Sequence, residues 1–461
     1  TASAMSDEEL AALSSGVASL WQEATALAEQ VEAIRKTAEG TVPRVLVSAA
    51  NPWAPFGGMA EIGEGRVRPP DVHIKAFRHE HESGAVNVFN FGRDPMVFRV
   101  EMSDLRSVAD SDPATVPARS VVTMREAIET PTQQGDMSAD AISLLNQGEV
   151  LIVPGWAGRQ LWLEFDTAPL DAGDWTGTLR LRSLEPVPIE QTASVTISVW
   201  RTALPAEQTV ALCHWGYVHR SVLKDQPDAA LADQIEHGTN VFVGLFAPKA
   251  KYDEQGHLIG EIDFAEHDAY VQQHASHGII LFYNYQHALQ GPGAHSEQPY
   301  RKAHAAWLRA WVERLQTLGV GYDGFALYPV DEPGLQSGLV EQFLLYARLA
   351  READPRIQIY TDPVNRITID ELEAMAPYVD IWCPHSGSFL KRDNADKLAY
   401  IKSLGKTTWT YECSGNAKHQ CPLGYYRALA WLAWHHGLTG IGFWSYCTST
   451  DDPWFRPKNP H

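Results

Sequence analysis

From Pro205 onward the chain alternates strand-like apolar runs with long helical stretches, and this alternation restricts the fold more than any other feature. The strands are read at Val210–His214, Asn240–Phe246, Ile279–Tyr285, Gly324–Val330, Ile357–Thr361, Asp380–Pro384, Thr407–Glu412 and Gly440–Tyr446. The helices between them include Ala265–His277, Arg301–Leu318, Leu339–Glu352, Ile369–Met375, Ala395–Leu404 and Gly424–His436, with a seventh, not given bounds, between the first two strands. Eight strands with seven intervening helices predict a (β/α)8 TIM barrel over 206–461 that lacks its final helix. A doubly wound sheet rarely needs eight such units in about 250 residues.

Before Pro205 the period is two. Short alternating runs such as Val86-Asn87-Val88-Phe89-Asn90, Leu161-Trp162-Leu163-Glu164-Phe165 and Val195 to Trp200 are separated by Gly- and Asp-rich turns, which predicts an antiparallel β-sandwich over 41–205. Residues 1–40 read as a helical N-terminal extension. Leu10, Leu13, Val17, Leu20, Trp21, Ala24, Leu27, Val31 and Ile34 recur at helical steps from Ser6 to Lys36, and Ser6 with Glu9 supplies a capping box. The sequence reaches His461 soon after the eighth strand, so either it is trimmed there or the Ser6–Lys36 helix fills the missing helix's place.

Charge narrows the partners. Thirty-seven Lys and Arg against 57 Asp and Glu leave a net charge of −20, which argues against a nucleic-acid partner or an anionic membrane surface. No run of about 18 apolar residues exists, so no membrane insertion is expected; a signal peptide, if there was one, is already gone, in keeping with a secreted or periplasmic protein. Five cysteines without a CxxC pair make a structural zinc site a poor reading, although Cys413 and Cys421 are close enough in sequence to bridge one loop. Tryptophan is as frequent as phenylalanine, at 15 each, and indole faces suit sugar rings. Core filling explains most of them.

In a barrel of this type the chemistry sits at the C-terminal ends of the strands. Those ends carry His214 and Trp215, then Tyr283, Asn284, Tyr285 and His287, then Asp331 with Glu332. Thr361 and Asp362 follow, then Trp382, His385 and Ser386, then Trp409, Tyr411 and Glu412, and finally Trp444 and Tyr446. Carboxylates, aromatic platforms and neutral donors on one mouth are what glycosidic bond cleavage requires, so a carbohydrate partner is expected. No phosphate loop, HExxH or GxSxG is present, and neither a cofactor nor a metal is expected. The sharpest feature is Tyr328-Pro329-Val330-Asp331-Glu332-Pro333-Gly334, because repulsion and burial would raise the pKa of one of two abutting carboxylates. An exposed turn is the bland alternative. Asp362, in Thr361-Asp362-Pro363, reads equally well as the cap of a turn. His214, His287 and His385 read as ligands of sugar hydroxyls or as structural residues, Trp444 and Tyr446 as the floor of a sugar pocket, and Asn51 to Phe56 as packing of the domain seam.

Asp331-Glu332-Pro333-Gly334, Trp409-x-Tyr411-x-Cys413, Tyr425-Tyr426-Arg427 and Gly437-x-x-Gly440-x-Gly442-Phe443-Trp444-Ser445-Tyr446 together resemble the catalytic domain of glycoside hydrolase family 123 and its DUF4091 relatives. Upstream, His79-Glu80-His81-Glu82-Ser83, Asn87-Val88-x-Asn90, Leu161-Trp162-Leu163 and Gly173-Asp174-Trp175-x-Gly177 resemble that family's N-terminal sandwich, so the likeness runs from about Asp71 to Trp454. It implies a retaining β-N-acetylhexosaminidase acting on β-linked N-acetylgalactosamine. Glu332 is then the general acid/base, and Asp331 orients the substrate's own 2-acetamido group, which attacks in place of an enzyme carboxylate.

Two other readings compete. Glu412 has no place in the family pattern, and with Glu332 on strand four it resembles the retaining clan with Asn-Glu-Pro on that strand, in which Glu412 would be a covalent nucleophile about 5 to 5.5 Å from the acid. Asp331 stands where that clan has Asn. A non-catalytic carbohydrate-binding barrel is the remaining alternative, against which the paired carboxylates argue.

Overall fold

Strand Gly173–Ser183 turns Trp175, Leu179 and Leu181 inward and Thr176, Thr178 and Arg180 outward, the period-two pattern of a half-buried strand. The same pattern recurs through the sandwich of this computed structural model, which describes residues 43–63, 65–108, 113–131, 137–145, 150–205, 208–390, 394–413 and 426–447. The expected helix Ser6–Lys36, Cys421 and Tyr425 lie outside the described residues.

The chain divides into a unit of Thr1–Ala206 and a unit of Glu207–His461. In the first unit, one sheet runs in the order Val45–Ala50, His81–Asn90, Ala157–Asp166, Val122–Pro131, Met137–Leu145. The other runs Asp71–Arg78, Glu190–Ala203, Gly173–Ser183, Met96–Met102, Val150–Val153, with Leu105–Ser107 and Thr115–Val116 attached. One apolar core, including Val86, Phe98, Leu161, Phe165, Leu181 and Ile197, is drawn from both sheets. The antiparallel reading needs one correction, because the edge strand Asp71–Arg78 pairs parallel with Glu190–Ala203. Within Asn51 to Phe56, Trp53 meets Trp162 edge-on at 5.4 Å, and Phe56 lies 6.3 Å from Phe89.

The second unit is a nearly closed parallel sheet of nine segments. Its order is Thr407–Thr408, Ile381–Trp382, Gln358–Thr361, Phe325–Tyr328, Ile279–Tyr283, Val241–Gly244, Ala211–Gly216, Gly440–Cys447, Thr410–Glu412. Its two end segments are consecutive in the chain, with only Trp409 between them. Buried residues form two layers. Cys213, Trp215, Leu281, Ala326, Tyr328, Tyr360, Trp409 and Tyr411 make up one cluster within the sheet, whereas Phe282, Phe325, Leu327, Ile359 and Trp382 pack with helix residues such as Trp307, Trp311 and Phe343. The period-two side-chain alternation along each strand assigns residues to these layers.

The helices follow their own periodicity. Gln298–Thr317 buries Tyr300, His304, Trp307, Leu308, Trp311 and Leu315 at three- and four-residue steps, and Thr368 with Glu371 caps Ile369–Met375 in a capping box. Helix Pro227–Glu236 after the first barrel strand is the intervening helix that the sequence reading counts without bounds, and a small sheet of Lys249–Tyr252, Leu258–Asp263 and Leu289–Gln290 exceeds that reading. Gly440 has a steric reason, since a Cβ there would lie 2.4 Å from Cδ1 of the buried Trp409.

Candidate active site

Strand Phe325–Tyr328 buries all four of its residues, alternating Phe325 and Leu327 toward the helices with Ala326 and Tyr328 toward the interior. Beyond it the chain turns at Asp331 and Glu332. Glu332 has φ +45°, a left-handed conformation that a side chain bearing a Cβ disfavours, and its backbone N–H donates to Oδ1 of Asp362 at 3.1 Å. Asp362 follows strand Gln358–Thr361 and is 1% exposed.

The hydroxyl of Tyr328 lies between two carboxyls, 2.7 Å from Oδ1 of Asp331 and in hydrogen-bond contact with Oδ2 of Asp362. Across the interior, the Tyr411 hydroxyl donates to Oε1 of Glu332, and the Cys413 thiol lies 3.6 Å from the same oxygen. Trp215 flanks Tyr411 at 5.5 Å between ring centres, and Tyr283 flanks Tyr328 at 4.9 Å.

Burial and crowded charge set the protonation states. Desolvation raises the Asp331 carboxyl, the Tyr328 and Tyr283 hydroxyls oppose that rise, and the charge of Glu332 adds to it. Solvent reaches Asp331 on its outer side, which limits the effect. Asp362 is pushed far above the carboxylate range, chiefly by complete burial and then by the charge of Asp331. Tyr411 and Tyr328 are driven well up by burial and by these same carboxylates.

Glu412 belongs to a different set of contacts. Ser386 Oγ donates to its Oε2 at 2.6 Å, while Nε2 of His385 lies 3.2 Å from Oε1 and the Cys413 N–H donates to Oε1 at 3.0 Å. His385 also meets Ser388 through Nδ1 at 3.2 Å and sets its ring edge-on to Tyr411 at 5.0 Å.

Of the residues singled out from the sequence, the structure brings Asp331, Glu332, Tyr411, Tyr283 and Trp215 together. Asn284 adjoins them in a left-handed conformation, its N–H donating to the Tyr328 carbonyl at 2.9 Å. Trp444 packs against the same inner cluster and donates from Nε1 to the Tyr217 hydroxyl at 3.0 Å. The Trp444–Ser445 peptide is cis. Trp409 is 4% exposed and fills the barrel interior, 6.1 Å from Tyr360, so it is core and no platform for a ring.

Two residues lie elsewhere. His214 is on the outer side of its strand, bonded through Nδ1 to Thr239 Oγ1 at 2.9 Å and lining a cavity of about 240 Å³ with Phe242, Tyr270 and His274. Tyr446 donates at 2.7 Å to Asp233 of helix Pro227–Glu236 and is no part of a pocket floor. For His214 the reason is alternation, which sets it outward between the inward Cys213 and Trp215. Tyr446 shares the parity of the inward Trp444, but the register against the neighbouring strand shifts after Trp215 and Trp444 and breaks the alternation there.

Tyr328 and Cys413 are not among the site residues expected from the sequence, and Asp362 is left open there between a residue of the barrel mouth and the cap of a turn. An available signal was that Tyr328 and Cys413 share the inward parity of Ala326 and Tyr411. Among the described residues no cluster of His, Cys, Asp and Glu forms a metal site, and no helix is long and apolar enough to cross a membrane.

No family model matches this chain, and no curated protein does. Among solved structures it is similar to a family 123 glycoside hydrolase from Clostridium perfringens, reported for glycolipid glycan hydrolysis, with a TM-score of 0.71 and 11% identity over 91% of this chain and 82% of that one. An endo-1,4-beta-D-mannanase from Thermotoga petrophila RKU-1 aligns with 51% of this chain and 88% of its own at 13% identity, but its TM-score of 0.36 is too low to carry weight. At 11% identity the first likeness shows a shared fold.

Proposed function

We propose that this chain is a glycoside hydrolase, specifically a retaining, substrate-assisted β-N-acetylhexosaminidase with a preference for N-acetylgalactosamine. The observation that carries the proposal is the division of labour between adjacent carboxyls: Glu332 meets Tyr411 and Cys413 through Oε1, and Asp331 meets Tyr328. Anchoring one oxygen of Glu332 aims the other for proton transfer to and from a glycosidic oxygen. Asp331 is held to accept the acetamido N–H as that group's carbonyl oxygen attacks the anomeric carbon, so that the positive charge of the oxazolinium forms beside a carboxylate. In this proposal the two segments around Trp409 count as one strand of a (β/α)8 barrel, a reading supported by their being consecutive in the chain.

The contacts of Glu412 disfavour the double-displacement alternative, because His385, Ser386 and the Cys413 N–H occupy both of its oxygens and lower their nucleophilicity. In this proposal residues 41–205 are a structural companion, 206–461 the catalytic domain, and the enzyme is secreted or periplasmic. An aryl β-N-acetylgalactosaminide and its 2-hydroxy counterpart, assayed side by side with a hexosamine thiazoline as inhibitor, test the reading. It requires turnover of the acetamido substrate and inhibition by the thiazoline; turnover indifferent to the 2-substituent contradicts it.

A further inference from the structure

One phenol has one proton, yet the Tyr328 hydroxyl makes hydrogen bonds to two carboxyls, Asp331 and Asp362. Two contacts of this kind need two protons, so one carboxyl is present as the acid. Asp331 has solvent on its outer side, whereas Asp362 is enclosed. A charge is dearest where water is excluded, which places the proton on Asp362.

We infer that Asp362 is a positioning residue that works as a neutral acid: its O–H donates to Tyr328, Tyr328 donates to Asp331, and its other oxygen holds the Glu332 N–H. Through one side chain it thus keeps Asp331 an acceptor and keeps Glu332 in its left-handed conformation. Its catalytic consequence rests on the hexosaminidase reading; its protonation does not.

Among the described residues the surroundings supply no counter-charge. From strand four Asp362 faces Tyr328, Asp331 and Glu332, and from strand three Tyr283. The remaining titratable neighbours among the described residues are Tyr360 on its own strand, Cys213 on the strand Ala211–Gly216, Cys383 just after the strand Ile381–Trp382, and Tyr411 with Cys413. All are acids, phenols or thiols, so each either adds negative charge or stays neutral, and none stabilises a carboxylate at Asp362.

The test compares Asp362→Asn with wild type in thermal unfolding from pH 4 to pH 8. The folded state holds the Asp362 proton more tightly than the unfolded chain, which releases it near pH 4, so raising the pH favours unfolding of wild type until the folded-state carboxyl also ionises. Asparagine removes that penalty and keeps one donor and one acceptor. Asp362→Asn is therefore expected to have the higher Tm at pH 7 to 8, with the gap closing toward pH 4. A variant less stable than wild type by the same amount at every pH means that Asp362 is a charged structural residue and overturns the inference.

The kinetic arm adds Asp362→Ala, which keeps neither hydrogen bond and is expected to lose about tenfold or more in kcat beyond Asp362→Asn. Equal losses from the two overturn the positioning role. If wild type turns over no hexosaminide while the Tm pattern holds, the functional reading fails and the protonated Asp362 stands.

Discussion

The Asp362 carboxyl accepts the backbone N–H of Glu332 at 3.1 Å, and Glu332 at that point has φ +45°. A buried acid from one strand end therefore fixes the backbone of a surface turn at the next. Residues held in this region cost on the order of 1–3 kcal/mol and persist where their surroundings over-determine them. Two variants without the carboxyl separate backbone strain from side-chain loss: Glu332→Gly is expected to be about 1 kcal/mol more stable than Glu332→Ala in denaturant unfolding. Equal stability means the left-handed turn carries no strain.

Tyr411 is the other anchor of Glu332. Tyr411→Phe leaves the ring against Trp215 and removes only the hydroxyl, so the glutamate side chain loses its aim. The expected result is a kcat lower by about tenfold or more with KM changed far less, because the contact serves the reacting carboxyl and not the sugar. A raised KM at unchanged kcat would assign Tyr411 to substrate binding instead.

Gly440 tests the closure of the barrel. Alanine there would bring its Cβ to 2.4 Å from Trp409, in the gap between the two end segments of the sheet. Overpacking of this kind costs about 1–3 kcal/mol. Gly440→Ala is expected to lower the denaturant midpoint accordingly, and Trp409→Phe in the same chain to restore part of the loss. An unchanged midpoint shows that Trp409 has room to shift.

His214 predicts an acid-side weakness. Burial, and then the neighbouring His237, lowers its pKa to about 4, while Asp233 opposes the shift. The folded state thus binds the proton less tightly than the unfolded chain, so the stability His214 contributes is present above about pH 6.5 and is lost as the pH falls toward 4. The loss is at most roughly 3 kcal/mol. His214→Asn, which retains a polar partner for Thr239, is expected to flatten that part of the stability profile. A variant profile parallel to wild type contradicts this.

Much of the site was legible because chemistry and topology coincide at strand ends. Adjacent carboxylates followed by Pro and Gly read as a turn, and a turn after the fourth strand of a barrel lies at its mouth, so Asp331 and Glu332 stood out as candidates from the sequence. Their supports were harder to read. Tyr328 and Cys413 stand inside the quoted motifs without a chemistry that the motif assigns to them, and Asp362 before Pro363 reads equally as a turn cap until strand parity and a neighbouring strand put it beside Glu332. Parity also separates Trp215, which faces inward, from His214, which faces outward one residue away. Trp409 shows the converse error: an aromatic at a strand end read as a platform proves to be the plug between two halves of a broken strand. Helix Pro227–Glu236 has no bounds in the sequence reading because only Ala230, Leu231 and Gln234 are buried on it, too few for a strong period.

The central claim is that Asp331, not Glu412, is partner to Glu332 in catalysis. The most direct measurement ranks Asp331→Asn and Glu412→Gln on one β-N-acetylhexosaminide and its 2-hydroxy counterpart. Substrate assistance predicts that Asp331→Asn lowers kcat more than it alters KM, since its stabilisation of the oxazolinium exists mainly in the transition state. Glu412→Gln, which keeps an acceptor for Ser386, is then comparatively mild. An inactive Glu412→Gln beside an active Asp331→Asn that is indifferent to the 2-substituent would contradict the account.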